Sequence, residues 1–365
     1  MAKNEKLVAV LGATGFTGRL VARELYRHDV LTLLAGRNAE KLDKLAAETG
    51  GAETAVVDVR DTPALDTLAN RVGVVINCVG PFIDFGEPVV RAAIAAATHY
   101  IDTTGEQPFV KDMLVHKTWA QSQKVAVVPA LGFDVAVADC GAALAAEDLD
   151  GVETVQVTYV ARIHTSQGTK RSALRMLQSD GFAYADGAWV AEVPARHMVF
   201  VDFPKPVGRV AAVSFPSAEV VTIPLHIQAR EVRTFMSVPR AAARVLSATG
   251  VAMSGLMRSP IGSLLSTVIG EGTNGPDDDT RRSDAFHVCV DVHGTRGGKA
   301  EARRIVLSGK DVYGLTAAIA RQGAELLTAG RNTATGVLPP AGAFRPKDFL
   351  DGLQAEGLTY DLAAV

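Results

Sequence analysis

Three glycines spaced three residues apart, Gly12, Gly15 and Gly18, follow the apolar run Leu7-Val8-Ala9-Val10-Leu11 and precede a helical pattern. A strand that stops at such a turn and feeds a helix can hold a pyrophosphate. Gly12 permits the tight turn, Gly15 lets the backbone approach phosphate oxygens, and Gly18 lets the helix pack closely on the strand. The helix start adds unpaired N–H groups and the positive end of its dipole. The turn Gly12, Ala13, Thr14, Gly15, Phe16, Thr17 and Gly18 is therefore the expected contact set for a dinucleotide.

A second apolar strand ends in Leu34-Ala35-Gly36-Arg37-Asn38. A carboxylate at this point would hold the ribose 2′-hydroxyl of NAD. Arg37 stands there instead, and a guanidinium pairs with phosphate through two charge-assisted bonds. The expected cofactor is NADP(H) in preference to NAD(H), with Arg37 and Asn38 near the 2′-phosphate; the alternative is a solvated arginine at a helix start. Asp58 and Val59, ending a third strand, are placed to meet the adenine edge, although Asp58 could also cap the following helix. The fourth strand runs into Cys78-Val79-Gly80-Pro81-Phe82, a loop expected to pass under the ribose and nicotinamide. Cys78 reads as a buried small apolar residue rather than a nucleophile.

Hydride transfer asks the protein for alignment, a dry cleft and a proton source. None of Tyr26, Tyr100, Tyr159, Tyr184, Tyr313 or Tyr360 has a lysine four residues later, which disfavours the tyrosine–lysine mechanism of short-chain dehydrogenases. No cysteine sits in a context suited to thiol catalysis. The remaining acid/base candidates lie beyond the fifth and sixth strands: Asp102, Glu106 and Asp134, each equally able to cap a helix or brace a loop. Tyr100, Lys170 and Arg171 are candidate substrate contacts, the last two suited to an anionic group. Along 284–307, His287, Cys289, Asp291 and His293 share one face of a hairpin strand. Ligands two residues apart on a strand lie about 6–7 Å apart, too far for one ion, so no metal is expected. That face either lines a substrate cleft or is solvated.

The elements positioning these residues alternate from the amino terminus: strands at Val30–Ala35, Thr54–Asp58, Val74–Val79, His99–Asp102 and Val125–Pro129, with helices between. A helix is expected over Glu87–Ala97, with Pro88 in its first turn. This alternation implies an α/β chain with a Rossmann-type doubly wound parallel sheet, ligands sitting beyond the carboxyl ends of its strands. The later half reads as α+β: a strand over Val152–Ile163, a helix over Thr169–Ser179, strands at Trp189–Val193, Met198–Phe203, Val210–Phe215 and Val220–Ile223, and the hairpin 284–307. A helix begun at Asp311 ends at Gly330.

With 365 residues, 48% of them hydrophobic, the chain is long enough for two domains, and a net charge of −3 offers nucleic acid no attraction. Cys78, Cys140 and Cys289 form no CxxC pair, which fits a reducing, cytoplasmic setting. The first apolar run breaks at Gly12, unlike a signal peptide. The apolar stretch from Val245 to Ile269 is interrupted by Arg258 and Pro260, so it reads as a buried or lid-like helix pair, or as a surface meeting a greasy substrate or a membrane.

The motifs together resemble the saccharopine dehydrogenase-like NAD(P)-binding oxidoreductases: GATGFTGR at 12–19, AGR at 35–37, INCVGPF at 76–82, HYIDTTGE at 99–106 and PALGFD at 129–134. GTKRSAL at 168–174, GEGTNGPDDDTRR at 270–282 and TGVLPPAGAF at 335–344 extend the likeness over most of the chain. The chain departs from the family after Asp134, where Val135-Ala136-Val137-Ala138 replaces the usual serine and proline. The resemblance implies a dinucleotide-binding domain over 1–135, joined by 336–365, with an α+β substrate or dimerisation domain over 136–335 inserted before a returning carboxy-terminal helix. Family members include saccharopine reductases, carboxyspermidine-type enzymes and trans-acting enoyl reductases. The expected function is an NADP-dependent reduction of a C=C (enoyl) or C=N bond in a small or lipid-like substrate, by a homodimer. A non-catalytic NADP-binding sensor and an amino-acid-condensing dehydrogenase are the alternatives.

Overall fold

The computed structural model describes residues 3–161, 164–168, 170, 181–257 and 275–365. Arg171, most of the helix expected over Thr169–Ser179 and residues 258–269 of the apolar stretch lie outside the described residues. In chain order the elements are β1 (Asn4–Leu11), α1 (Phe16–Arg27), β2 (Thr32–Gly36), α2 (Ala39–Glu48), β3 (Glu53–Val56), α3 (Thr62–Ala69), β4 (Val72–Asn77), α4 (Phe82–Ala95), β5 (His99–Asp102), α5 (Gln107–Met113), α6 (Lys117–Ser122), β6 (Ala126–Val128) and α7 (Phe133–Ala146). There follow β7 (Gly151–Ala161), β8 (Gly181–Ala185), β9 (Ala188–Glu192), β10 (Met198–Asp202), β11 (Arg209–Ser214), α8 (Glu219–Thr222), β12 (Ala229–Val238), α9 (Arg240–Met257), α10 (Asp278–Ser283), β13 (Ala285–Arg296), β14 (Lys299–Lys310), α11 (Val312–Thr328), β15 (Gly336–Val337), α12 (Pro340–Ala343), α13 (Pro346–Gly352) and β16 (Thr359–Ala364).

The chain divides into two compact units: residues 1–105, 109–136 and 313–356 form the first, and 106–108, 137–312 and 357–365 the second. The first unit holds a seven-stranded sheet in the order β15-β6-β5-β4-β1-β2-β3. Its neighbouring strands are parallel. Val8 to Leu11 are wholly buried, as are Val74 and Ile76, because helices cover both faces of a parallel sheet. This is the Rossmann-type order, and it brings the ends of β1 and β4 together at its centre.

Three features depart from the expected elements. First, α4 starts at Phe82, because Pro81 takes an extended conformation and its carbonyl accepts the N–H groups of Asp84 and Phe85. Pro88 therefore lies inside the helix rather than in its first turn. Second, the chain returns to the first unit with α11, earlier than residue 336. Thr316 Oγ1 accepts the Phe133 N–H at 3.1 Å, and a Cβ on Gly323 would lie 2.3 Å from Leu131 Cδ2. Third, the last residues leave that unit again, since β16 pairs antiparallel with β14 of the second. Gly330 (φ +66°) ends α11 as expected, freeing Arg331 N–H to bond Leu326 O at 2.8 Å.

The second unit is built on a mostly antiparallel sheet, β10-β11-β12-β7-β13-β14-β16, with β8 and β9 branching from β12. The run Val220–Ile223, expected as a strand, begins as the short helix α8, whose N–H groups at Val221 and Thr222 return to Ala218 O. In the β13–β14 hairpin, Phe286, Val288, Val290 and Val292 are all fully buried, as the alternation requires. The opposite face is neither open nor uniformly polar. Cys289 packs with Val201 and Phe203, and Asp291 is gripped by Arg304 through bonds of 2.6 and 3.0 Å. Among the described residues, no helix is long and apolar enough to cross a membrane.

Candidate dinucleotide site

The turn between β1 and α1 uses each glycine differently. Gly12 has φ +82°, and a Cβ there would meet Val79 Cγ2 at 2.7 Å. At Gly18 a Cβ would fall 2.2 Å from Gly12 O and 2.9 Å from Ala13 Cα, so the helix presses directly on the turn. A Cβ at Gly15 would meet only Gly12 O within 4 Å, at 3.2 Å, and otherwise enters open space. Ala13 is buried and donates its N–H to Ala35 O at 3.0 Å, while Thr14 and Thr17 remain partly accessible. Gly15 is the N-cap of α1, with no side chain capping the helix and no acidic residue in its first turn. An uncapped helix start facing open space suits an anion. Phe16 packs edge-on against Tyr313, with ring centroids 4.9 Å apart.

Beyond β2 and β3 lies a cationic corner. Arg37 is exposed and has no hydrogen-bond or ion-pair partner among the described residues, whereas Asn38 is committed to capping α2 through Lys41 N–H at 2.9 Å. Asp58 is held by Arg60 through Nε (3.1 Å), Nη2 (2.9 Å) and the backbone N–H (3.0 Å). These bonds, led by the Arg60 side chain and reinforced by the more distant charge of Arg37, lower the Asp58 carboxyl to about 2. Asp58 is thus an ionised, neutralised acid, and Val59 beside it is buried. Arg60 was not singled out by sequence; its signal was the Asp-x-Arg spacing, which lets a side chain reach back to a carboxylate two residues earlier.

The loop after β4 closes the other side of the turn. Cys78 N–H bonds Leu11 O at 2.8 Å and Val79 N–H bonds Asn77 Oδ1 at 3.0 Å. Burial, aided by the Asp102 charge, pushes the Cys78 thiol up to about 12, which makes it a poor nucleophile. Gly80 and Pro81 carry the chain to Phe82, which is buried with its ring 5.9 Å from that of Phe109.

The carboxylates differ in character. Asp102 is fully buried, and its Oδ1 accepts the N–H groups of Thr104 (3.0 Å) and Ala130 (2.8 Å), tying together the loops after β5 and β6. Tyr100 is also fully buried and accepts a bond from Asn77 Nδ2 at 3.2 Å; burial and the Asp102 charge raise its phenol well above the ordinary value. Asp134, in the first turn of α7, is accessible to solvent, yet the protein packed around its carboxyl desolvates it. That desolvation lifts its carboxyl to about 6. Glu106 and Lys170 belong to the second unit: Glu106 is buried, and half-buried Lys170 donates its backbone N–H to Ser166 O at 3.0 Å. The structure therefore brings Cys78, Tyr100 and Asp102 together at the ends of β4 and β5. Among the described residues, Glu24, His28 and Glu356 are close enough to share a metal ion, but Arg321 bonds both carboxylates at 3.3 Å and neutralises them.

Residues 8–127 match the family model for the saccharopine dehydrogenase NADP binding domain, as the motif resemblance implied. The chain is 30% identical over 205 residues to a human saccharopine dehydrogenase-like oxidoreductase, covering 51% of this chain and 45% of that protein. It is 33% identical over 202 residues to a trans-acting enoyl reductase of Mycobacterium ulcerans, covering 50% and 48%. The chain thus spans about half the length of the curated relatives it matches. The saccharopine dehydrogenase (L-Glu forming) of Saccharomyces cerevisiae shares the fold over 98% of this chain and 100% of that one, with a TM-score of 0.65 at 14% identity.

Proposed function

Because residues 8–127 match the saccharopine dehydrogenase NADP binding domain, we propose an NADPH-dependent reductase acting on an activated C=C or C=N bond. The observation that carries this reading is the Gly15 opening at an uncapped helix start, with Arg37 unpaired at the end of the neighbouring strand. The α1 N–H groups hold the pyrophosphate, and Arg37 takes the 2′-phosphate. Because Arg60 already neutralises Asp58, no free carboxylate there repels that phosphate or rewards a bare 2′-hydroxyl, so NADP(H) is preferred over NAD(H). When bound, NADPH supplies a hydride to the electron-poor carbon of the substrate.

The second atom of the reduced bond then needs a proton. Asp134 is suited to give it, since its raised carboxyl stays protonated well above the range of an ordinary aspartate. Asp102 instead braces the loops that shape the site. The likeness to an enoyl reductase favours an enoyl thioester as substrate, and the three free cysteines favour a reducing compartment. The test is NADPH oxidation by the purified chain, followed at 340 nm, against crotonyl-CoA, longer enoyl thioesters and cyclic imines. Tight NADPH binding with no turnover on any of them would replace the reductase with a cofactor-binding sensor.

A further inference from the structure

In the second unit, strand β10 is the edge of the sheet and pairs only with β11 among the described residues. Phe200 on this edge is 42% exposed. Two guanidinium groups lie over its ring, Arg209 at 5.3 Å and Arg240 at 5.9 Å from the centroid. Helix α9 packs on the same hairpin through Ala243 and Leu246, which meet Ala211 and Val213. Arg240 and Arg244 are one helical turn apart and both exposed, beside Val245, which is 61% exposed. Arg240 and Arg244 have no ion-pair partner among the described residues, and Arg209 has only a loose one in Asp202 at 3.9 Å. The sequence reinforces this local excess, since no aspartate or glutamate occurs between Glu231 and Glu271.

An excess of arginine in a chain of net charge −3 marks a local site rather than general basicity. Arginines that keep their heads in water beside exposed apolar side chains form the pattern of a surface lying at a headgroup boundary. A nucleic acid would need the faces of Phe200 for stacking, and guanidinium groups already cover them. We propose that Phe200, Arg209, Arg240, Arg244 and Val245 form a docking face for an anionic phospholipid bilayer. The arginines pair with lipid phosphates and carboxylates, and the phenyl ring and Val245 enter the headgroup layer. This proposal is independent of the reductase reading.

The test is co-sedimentation of the full chain with vesicles of phosphatidylcholine alone or mixed with phosphatidylserine, at low and high salt. Binding is expected only to the mixed vesicles and is expected to weaken as salt rises. Each surface arginine contributes roughly fivefold to such binding, so Arg240→Gln with Arg244→Gln should lower the partition coefficient about 25-fold. Phe200→Ser should weaken binding while leaving its salt dependence unchanged. All three positions are exposed, so thermal unfolding should match the parent and certify the folded state. Failure of the parent chain to bind mixed vesicles, equal binding to neutral ones, or parental binding by the double variant would each overturn the proposal. A soluble acidic partner for this face would appear as the first of those results.

Discussion

Replacing Gly15 and Gly18 separately with alanine should divide cofactor binding from folding. At Gly15 the backbone (φ −73°, ψ 173°) is open to any residue, and a Cβ has only Gly12 O nearby, at 3.2 Å. The folding cost is a weaker N-cap, up to about 1 kcal/mol, offset by about 0.4–1 kcal/mol from a stiffer unfolded chain. The new methyl fills the space assigned to the pyrophosphate. Losing two charge-assisted bonds, at about 1.5–3 kcal/mol each, would weaken NADPH binding at least 100-fold. At Gly18 the contact of 2.2 Å with Gly12 O forces the helix away from the turn. Overpacking of this kind costs about 1–3 kcal/mol or more, and NADPH binding then falls along with stability. Isothermal titration with NADPH and thermal unfolding of both variants measure the two quantities. If Gly15→Ala bound NADPH within threefold of the parent, or lost stability as Gly18→Ala does, the cradle assignment would be refuted.

Arg37→Ala should raise the Michaelis constant for NADPH about 10–100-fold and leave that for NADH nearly unchanged, which steady-state kinetics with both coenzymes would reveal. Asp102→Ala leaves two backbone N–H groups without their acceptor, so urea unfolding should show a loss of about 2–5 kcal/mol. For Asp134 the folded-state carboxyl is raised to about 6 from 3.8. Ionisation therefore opposes folding above the unfolded value, and the penalty is complete above the folded one. Asp134→Asn should then raise the melting temperature at pH 8 and have little effect below pH 4; an equal effect at both would contradict the shift. Cys78 and Cys289, both pushed up to about 12, should resist iodoacetamide at pH 8 in the folded chain and react once it is denatured, as mass spectrometry would show.

The glycine turn and the parallel sheet were legible because both rest on local rules: a strand, a turn without side chains, then a helix. What escaped the sequence depended on partners distant in the chain or on very short elements. β15 spans only Gly336–Val337, too few residues to show a period, yet it adds a seventh strand beside β6. The polar side of β13 alternated correctly, but its exposure was set by Val201 and Phe203, about ninety residues earlier, which cover Cys289. Arg60 escaped for a different reason: its role depends on the local turn at Asp58, which brings it onto that carboxylate.

The candidate acids show why residue type and strand-end position could not decide their chemistry. Asp102 ends β5 and Asp134 follows β6, neighbouring strands of the first sheet. Two backbone N–H groups on Oδ1 make Asp102 a structural acceptor. At Asp134 desolvation raises the pKa, so the proton is retained nearer neutrality while the residue remains accessible to solvent. A buried carboxyl with committed partners resists changes in protonation, whereas one that is enclosed but accessible can exchange a proton with whatever occupies the space before it. On that physical difference Asp134 is the residue we propose as proton donor, while Asp102 braces the loops after β5 and β6.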